Sequence, residues 1–197
     1  MLWLILSVLL WGVIHSITAS LGVKAWIHRR LGEGSMRFYR LAYNIFSALS
    51  FVPTLLLMAT LPDRMLYRIP VPWVYLSMGG QIAAISLLVF GVLQTDPLSF
   101  IGLRQLFERR ESPSKMITHG LYRWVRHPLY TAGLLFIWLT PVMSRNTLIV
   151  VIAATVYIIV GAHFEERKLE REFGVAYAEY KTVTPMLIPG LVFGRNK

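Results

Sequence analysis

The sequence predicts an all-α integral membrane protein with about five transmembrane helices. Three observations lead to this fold class: composition, the spacing of the apolar runs and the distribution of basic residues. The chain has 197 residues, of which 55% are hydrophobic and 15% are charged, and its mean hydropathy is +0.55. That composition is too apolar for an ordinary soluble domain, so the bilayer is the solvent for most of the chain.

Five apolar runs divide the chain. A transmembrane helix needs about 20 predominantly apolar residues. The first three runs meet this length, whereas the fourth is short for a full span. Only Ser144–Asn146 separates the fourth run from the fifth, and this short connection predicts a helical hairpin. No basic residue precedes the first run, which favours a retained helix over a cleaved signal peptide. The five runs are Leu2–Leu21, Leu41–Leu61, Val71–Leu93, Leu129–Met143 and Thr147–Phe164.

The basic residues predict the orientation. With five spans, alternate loops place 17 Lys and Arg on one side of the membrane and 3 on the other. By the positive-inside rule the N-terminus is outside and the C-terminus is cytoplasmic. The net charge of +10 is then explained by the membrane topology. The basic residues are expected to contact anionic lipid headgroups rather than nucleic acid.

The chain is predicted to form one membrane domain over residues 1–197. Residues 1–95 hold three transmembrane helices, and residues 96–197 hold a cytoplasmic loop, the hairpin and a C-terminal segment. Within the loop, the apolar residues of Leu98–Glu111 recur at spacings that predict a short amphipathic helix on the membrane surface.

Chemistry is concentrated in the segment His119–Tyr130, which we call the His-Pro block. It combines bases, histidines and tyrosines at the start of the fourth apolar run, and Pro128 suits the first turn of a helix. A basic patch anchored by an aromatic belt is the alternative interpretation. The candidate site residues are His119, Gly120, Leu121, Tyr122, Arg126, His127, Pro128 and Tyr130.

Two adjacent acids, Glu165 and Glu166, directly follow the fifth apolar run. Carboxylates at the end of a membrane helix need partners or water. The nearest candidate partners are Arg126 and His127, one hairpin away, so the two charged segments are predicted to meet. The alternative is a solvated helix end in which Glu165 pairs with Lys168.

Several kinds of site are unsupported by the sequence. The chain has no cysteine, which excludes a thiolate nucleophile and a zinc site built on sulfur. Its five histidines lack metal-ligand spacing, so no metal is expected, and neither a serine-hydrolase elbow nor a phosphate-binding glycine loop is present. A site of acids, bases and aromatic rings remains, which suits group transfer from a charged cosubstrate. Arg126, His127 and Glu166 are the predicted catalytic residues.

Residues 117–190 resemble the membrane-embedded methyltransferases that use S-adenosylmethionine. These include isoprenylcysteine carboxyl methyltransferase, the phospholipid N-methyltransferases and the membrane thiol S-methyltransferases. The chain matches three elements of the family pattern in order and spacing. They are Gly120, Tyr122, Arg126, His127, Pro128 and Tyr130; then Glu165, Glu166 and Leu169; then Phe173, Gly174, Tyr177 and Tyr180. The resemblance implies S-adenosylmethionine as cofactor, held in a cytoplasmic site by the His-Pro block, the glutamate pair and the C-terminal segment.

The N-terminal half is similar to the subgroup that contains the thiol S-methyltransferases, through His15, Tyr43 and Asn44 among others. These three are the candidate acceptor-binding residues, and interhelical hydrogen bonding is an equal alternative for His15 and Asn44. A thiol or a carboxylate needs little help to become a nucleophile, whereas an ammonium group must first lose a proton. A thiol or isoprenylcysteine carboxylate acceptor is therefore favoured over a phospholipid amine.

Two other functions compete with this interpretation. Sterol-type reductases that use NADPH share a related C-terminal architecture, but their pattern differs from Arg126-His127-Pro128. A non-catalytic membrane protein linked to nitrogen-oxide metabolism resembles the N-terminal half. Retention of Glu165 and Glu166 argues against a lost catalytic site.

Overall fold

The computed structural model describes residues 1–107 and 116–191. Its described residues form two compact units, each built from segments that are distant in sequence. Unit 1 comprises Met1–Met65, Asp96–Pro113 and Ser144–Ala153, and unit 2 comprises Leu66–Thr95, Ser114–Met143 and Ala154–Lys197. The three acceptor candidates thus belong to unit 1, and the His-Pro block and the glutamate pair belong to unit 2.

Unit 1 is helical. Ser20 ends the first helix and caps the second, because its side chain accepts a hydrogen bond from the backbone N–H of Val23. Arg37 donates hydrogen bonds to the carbonyl groups of Gln105 and Leu106 and so holds the short loop helices against the long third helix. The helices are α1 (Leu2–Ala19), α2 (Leu21–Leu31), α3 (Glu33–Thr60), α5 (Pro97–Ile101) and α6 (Arg104–Phe107).

Unit 2 contains α4 (Trp73–Gln94) and α7 (Pro128–Trp138), which pack antiparallel. A Cβ atom at Gly91 would lie 2.8 Å from Leu129 near the start of α7, and one at Gly80 would lie 2.8 Å from Leu139 just beyond its end. Small residues of this kind let helix backbones approach closely in membranes. Two short strands, β1 (Met65–Arg68) and β2 (Val142–Ser144), pair with each other. The remaining helices are α8 (Arg145–Phe173), which begins in unit 1, and α9 (Val175–Val183).

Four helices among the described residues are long and apolar enough to cross a membrane: α1, α3, α4 and α8. Many of their apolar side chains are exposed, for example Leu10, Leu76 and Ile82, as lipid-facing positions require. The fourth predicted run forms only the 11 residues of α7, about 16 Å of helix against a hydrocarbon core of about 30 Å. The structure therefore supports four of the five predicted spans.

Two further predictions differ in their boundaries. Leu98–Glu111 was predicted as one helix, but the structure has α5 and α6 with left-handed Gly102 between them, and residues 108–111 lie outside the described chain. A Cβ atom at Gly102 would lie 2.6 Å from the backbone nitrogen of Leu41. Gly174, whose φ is +57°, separates α8 from α9.

Candidate functional site

A buried ion pair lies at the centre of the site in unit 2. Arg126 Nε donates to Glu166 Oε1 over 2.6 Å, and the two side chains are only 9% and 6% exposed. Arg126 lies two residues before Pro128, the first residue of α7, and Glu166 lies on α8. The predicted contact between the two charged segments is therefore present. Because charges so deeply buried are costly without a partner, each of these residues requires the other.

His127 lies between the two glutamates. Its Nε2 is 3.3 Å from Glu166 Oε1, and its Nδ1 is 3.6 Å from Glu165 Oε2. The imidazole ring stacks on Tyr130 with ring centroids 5.3 Å apart, and the Tyr130 hydroxyl donates to Glu165 Oε2 over 2.8 Å. Pro128 is buried in the first turn of α7 directly after His127. The turn thus fixes the orientation of the histidine between two carboxylates.

The C-terminal segment is fastened along the His-Pro block by backbone hydrogen bonds. The N–H of Arg126 donates to the carbonyl of Pro185 over 2.8 Å, and the N–H of His127 donates to the carbonyl of Met186 over 3.1 Å. Arg126 Nη1 donates to the carbonyl of Thr184. Arg126 therefore joins three chain segments, and its guanidinium is largely consumed by bonds within the protein.

Lys181 on α9 adds a second cation to the site, and the sequence analysis did not identify it. Its Nζ lies 2.6 Å from Glu170 Oε1 and 3.4 Å from Glu166 Oε2. The hydrogen bond to Glu170 raises the pKa of Lys181 above its usual value. Glu166 and Glu170 are one turn apart on α8, so Lys181 neutralises two carboxylates on one helix face.

The first part of the His-Pro block forms a 3₁₀ turn over Gly120–Arg123. Gly120 has a φ of +61°, and a Cβ atom there would overlap the Gln94 side-chain amide. Gln94 Oε1 accepts a hydrogen bond from the backbone N–H of Leu121 over 3.0 Å. Gln94, at the end of α4, is a further residue that the sequence analysis missed, since its contact spans 27 positions. His119 precedes the turn and is exposed.

Two tyrosines of α9 are buried in unit 2. Tyr180 donates its hydroxyl hydrogen bond to the carbonyl of Tyr122, and burial raises the pKa of Tyr180 to about 12. Burial also raises the pKa of Tyr122 and, more strongly, that of Tyr177. All three side chains remain neutral phenols near neutral pH and can donate hydrogen bonds without acting as bases.

The geometry divides the glutamate pair. Glu166 faces Arg126, His127 and Lys181 and is 6% exposed, whereas the Glu165 side chain is 44% exposed and is held by Tyr130. The Glu165 carboxylate is therefore open to solvent, whereas the Glu166 carboxylate is enclosed by its cationic partners. Among residues 1–107 and 116–191, no group of three or more His, Asp or Glu side chains is arranged to hold a metal ion.

The acceptor candidates form polar contacts within unit 1. His15 Nε2 lies 2.7 Å from the Tyr43 hydroxyl, and His15 Nδ1 lies 2.9 Å from Ser47 Oγ. The imidazole also stacks on Trp11 with ring centroids 4.8 Å apart. Asn44 instead donates to the carbonyl of Ile101 over 2.7 Å at the end of α5. Asn44 therefore has a structural partner, whereas His15 on α1 and Tyr43 on α3 form a polar cluster between two predicted spans.

Fold and site together define a helical membrane protein with a polar cluster of acidic, basic and aromatic side chains in unit 2. The chain belongs to the family described as "NnrU protein", whose model matches residues 3–193. The proteins to which it is similar are named methyltransferases, and the chain is a membrane methyltransferase.

Three relatives illustrate the similarity. Methanethiol S-methyltransferase of Crocosphaera subtropica is 32% identical over 186 residues, which are 89% of this chain and 69% of that protein. Methanethiol S-methyltransferase 2 of Bradyrhizobium diazoefficiens is 42% identical over 106 residues, 52% of this chain and 40% of that protein. Protein-S-isoprenylcysteine O-methyltransferase B of Arabidopsis thaliana is 33% identical over 84 residues, 41% of this chain and 43% of that protein. No solved structure matches the chain.

Proposed function

We propose that this protein transfers the methyl group of S-adenosylmethionine to a small thiol, with an isoprenylcysteine carboxylate as the second candidate acceptor. The observation that supports the proposal is the open carboxylate of Glu165 beside the buried Arg126–Glu166 pair. The names of the relatives support a thiol or isoprenylcysteine acceptor.

The residues of unit 2 fit the proposed donor. S-Adenosylmethionine supplies a sulfonium methyl group together with ammonium, carboxylate and adenine groups. Glu165 is an acceptor for the ammonium group, and the half-buried Tyr130 ring, which stacks on His127, offers a π face to a cation. Arg126 and Glu166 are proposed to position these groups rather than to contact the donor, since their polar atoms are bonded to each other and to backbone carbonyls.

The proposed acceptor needs little catalysis. A thiol with a pKa of about 8.5 ionises appreciably near neutral pH, so its proton passes to water and its sulfur attacks the methyl carbon. One sulfur–carbon bond forms while the sulfonium carbon–sulfur bond breaks, and the positive charge of the donor is lost. Positioning and exclusion of water then account for the protein's contribution. We propose His15 and Tyr43 as acceptor-binding residues, because an ionisable group within a membrane span marks a functional site by default.

Binding of S-adenosylhomocysteine tests the proposed function most directly. We expect calorimetry on the detergent-purified protein to show saturable binding of this product, with no binding of NADPH. Methanethiol should then accept a methyl group in a turnover assay. Binding of NADPH alone would instead favour a reductase, and binding of neither ligand would contradict the proposed site.

We also propose that the donor site faces the cytoplasm, with the N-terminus outside. The basic residues support this orientation, and within unit 2 the antiparallel α4 and α7 place the His-Pro block and the β1–β2 pair at opposite ends. Because the chain has no native cysteine, Arg123→Cys and Arg68→Cys introduce unique thiols. In sealed right-side-out vesicles, an impermeant maleimide should label the cysteine at 68 and reach 123 only after permeabilisation; the reverse pattern would invert the topology.

A further inference from the structure

Tyr177 has a buried hydroxyl group without a hydrogen-bond partner in the part of the chain that the structure describes. The residue is 2% exposed, and its Oη has no hydrogen-bond partner among the described residues. Tyr180, one turn later on α9, is also buried, but its hydroxyl donates to the carbonyl of Tyr122. The two rings are neighbours, with centroids 5.9 Å apart. Of two buried tyrosine hydroxyls on α9, that of Tyr180 thus has a hydrogen-bond partner and that of Tyr177 has none among the described residues.

An unsatisfied buried hydroxyl is unusual. More than about 90% of buried polar groups have a partner, and leaving one without a partner costs about 1 to 3 kcal/mol. A phenylalanine at position 177 would bury the same ring without this cost. The hydroxyl therefore opposes the stability of the unliganded protein, and such a group is best explained by a bond formed in another state.

The surroundings of Tyr177 are the charged residues of the candidate site. Glu165, Glu166 and Arg126 all act electrostatically on its hydroxyl. Burial and the two carboxylates raise the pKa of Tyr177, so the group stays protonated and serves as a hydrogen-bond donor. Its missing partner is consequently a hydrogen-bond acceptor atom, and the charged residues that surround the hydroxyl place this atom at the candidate site.

We propose that the Tyr177 hydroxyl donates a hydrogen bond to an acceptor atom of the bound nucleoside sulfonium donor, and that it is a ligand-binding residue of this site. The inference rests on the proposed function, since that function supplies the ligand. Acceptor atoms of this ligand class are carboxylate oxygens, ribose oxygens and adenine nitrogens. Tyr180, in contrast, has a structural role, because its hydroxyl bond already exists without a ligand.

Removal of the hydroxyl group is expected to affect melting temperature and ligand affinity differently at Tyr177 and at Tyr180. Tyr177→Phe should leave the melting temperature of the unliganded protein unchanged or raise it, and should weaken binding of S-adenosylhomocysteine roughly 5- to 30-fold, the value of one hydrogen bond to a ligand. Tyr180→Phe should lower the melting temperature and weaken binding by less. Tyr75→Phe, at an exposed position of α4, is the matched control and should change neither quantity.

The measurement is calorimetric affinity and unliganded melting temperature for the full-length wild type and the three variants. 5′-Methylthioadenosine, which lacks the amino-acid part, locates the atom that accepts the hydrogen bond of Tyr177. If Tyr177→Phe loses affinity equally for both ligands, this atom is on the nucleoside. If the loss is confined to S-adenosylhomocysteine, the atom is on the amino-acid part. Wild-type affinity in Tyr177→Phe, or a melting temperature lowered as in Tyr180→Phe, overturns the inference and leaves the proposed function intact. Absence of binding by the wild type overturns both.

Discussion

Replacement of Arg126 by methionine is expected to produce the largest loss of stability in the protein. It leaves Glu166, which is 6% exposed, without its closest cation. Removing one partner of a buried ion pair costs about 3 to 5 kcal/mol, which corresponds to a melting temperature lower by roughly 10 °C in a chain of this size. Thermal unfolding in detergent, followed by intrinsic fluorescence, measures the change.

Two variants separate this effect from a general loss of charge. Arg123→Met removes an exposed arginine from the same block and should lower the melting temperature by less than about 2 °C, since exposed charges contribute little. The double variant Arg126→Met with Glu166→Leu removes both buried charges and should recover much of the lost stability. A double variant less stable than Arg126→Met would show that the two side chains do not act as a pair.

Glu165→Gln is expected to have the second largest effect, on ligand affinity rather than on stability. The Glu165 side chain is 44% exposed and its carboxylate is the open one of the pair. Loss of a charge-assisted hydrogen bond to the ligand's ammonium group should weaken binding of S-adenosylhomocysteine about 10- to 100-fold. The melting temperature of the unliganded protein should change little. Calorimetric titration provides the affinity.

Glu166, next to Glu165, and Glu179, on the surface, provide the control variants for this prediction. Glu166→Gln should lower the melting temperature, because Arg126 and Lys181 would lose their shared partner. Glu179→Gln, at an exposed position of α9, should alter neither affinity nor stability. If Glu166→Gln weakens binding in a stable protein while Glu165→Gln binds normally, the assignment of the open carboxylate is wrong.

The contact between the two charged segments was predictable because it followed from hydropathy and from the cost of isolated charge. Carboxylates that follow an apolar run need a cation, and Arg126 lies just before the preceding apolar run. The structure confirms the meeting of these segments in the Arg126–Glu166 pair. The helical interruption at Gly174 was predictable for a similar local reason, since glycine readily adopts the positive φ found there.

Other features depended on contacts that no local pattern contains. Gln94 accepts a hydrogen bond from Leu121 at a distance of 27 positions, and Lys181 reaches Glu170 across a break between two helices. The fourth apolar run was already short for a full span, and it formed only the 11 residues of α7. The helix ends at Trp138, and the last residues of the run instead lead into the β2 strand, which begins at Val142.

The sequence by itself determined the membrane class, the approximate positions of the four long apolar helices and the two charged segments, because hydropathy and charge belong to short stretches of chain. Only the tertiary structure decided which glutamate is buried and which tyrosine hydroxyl is satisfied. Consecutive residues on a helix point about 100° apart, so the rotation of α8 directs Glu166 to Arg126 and leaves Glu165 open. The packing of α9 likewise satisfies Tyr180 and leaves the Tyr177 hydroxyl without a protein partner among the described residues.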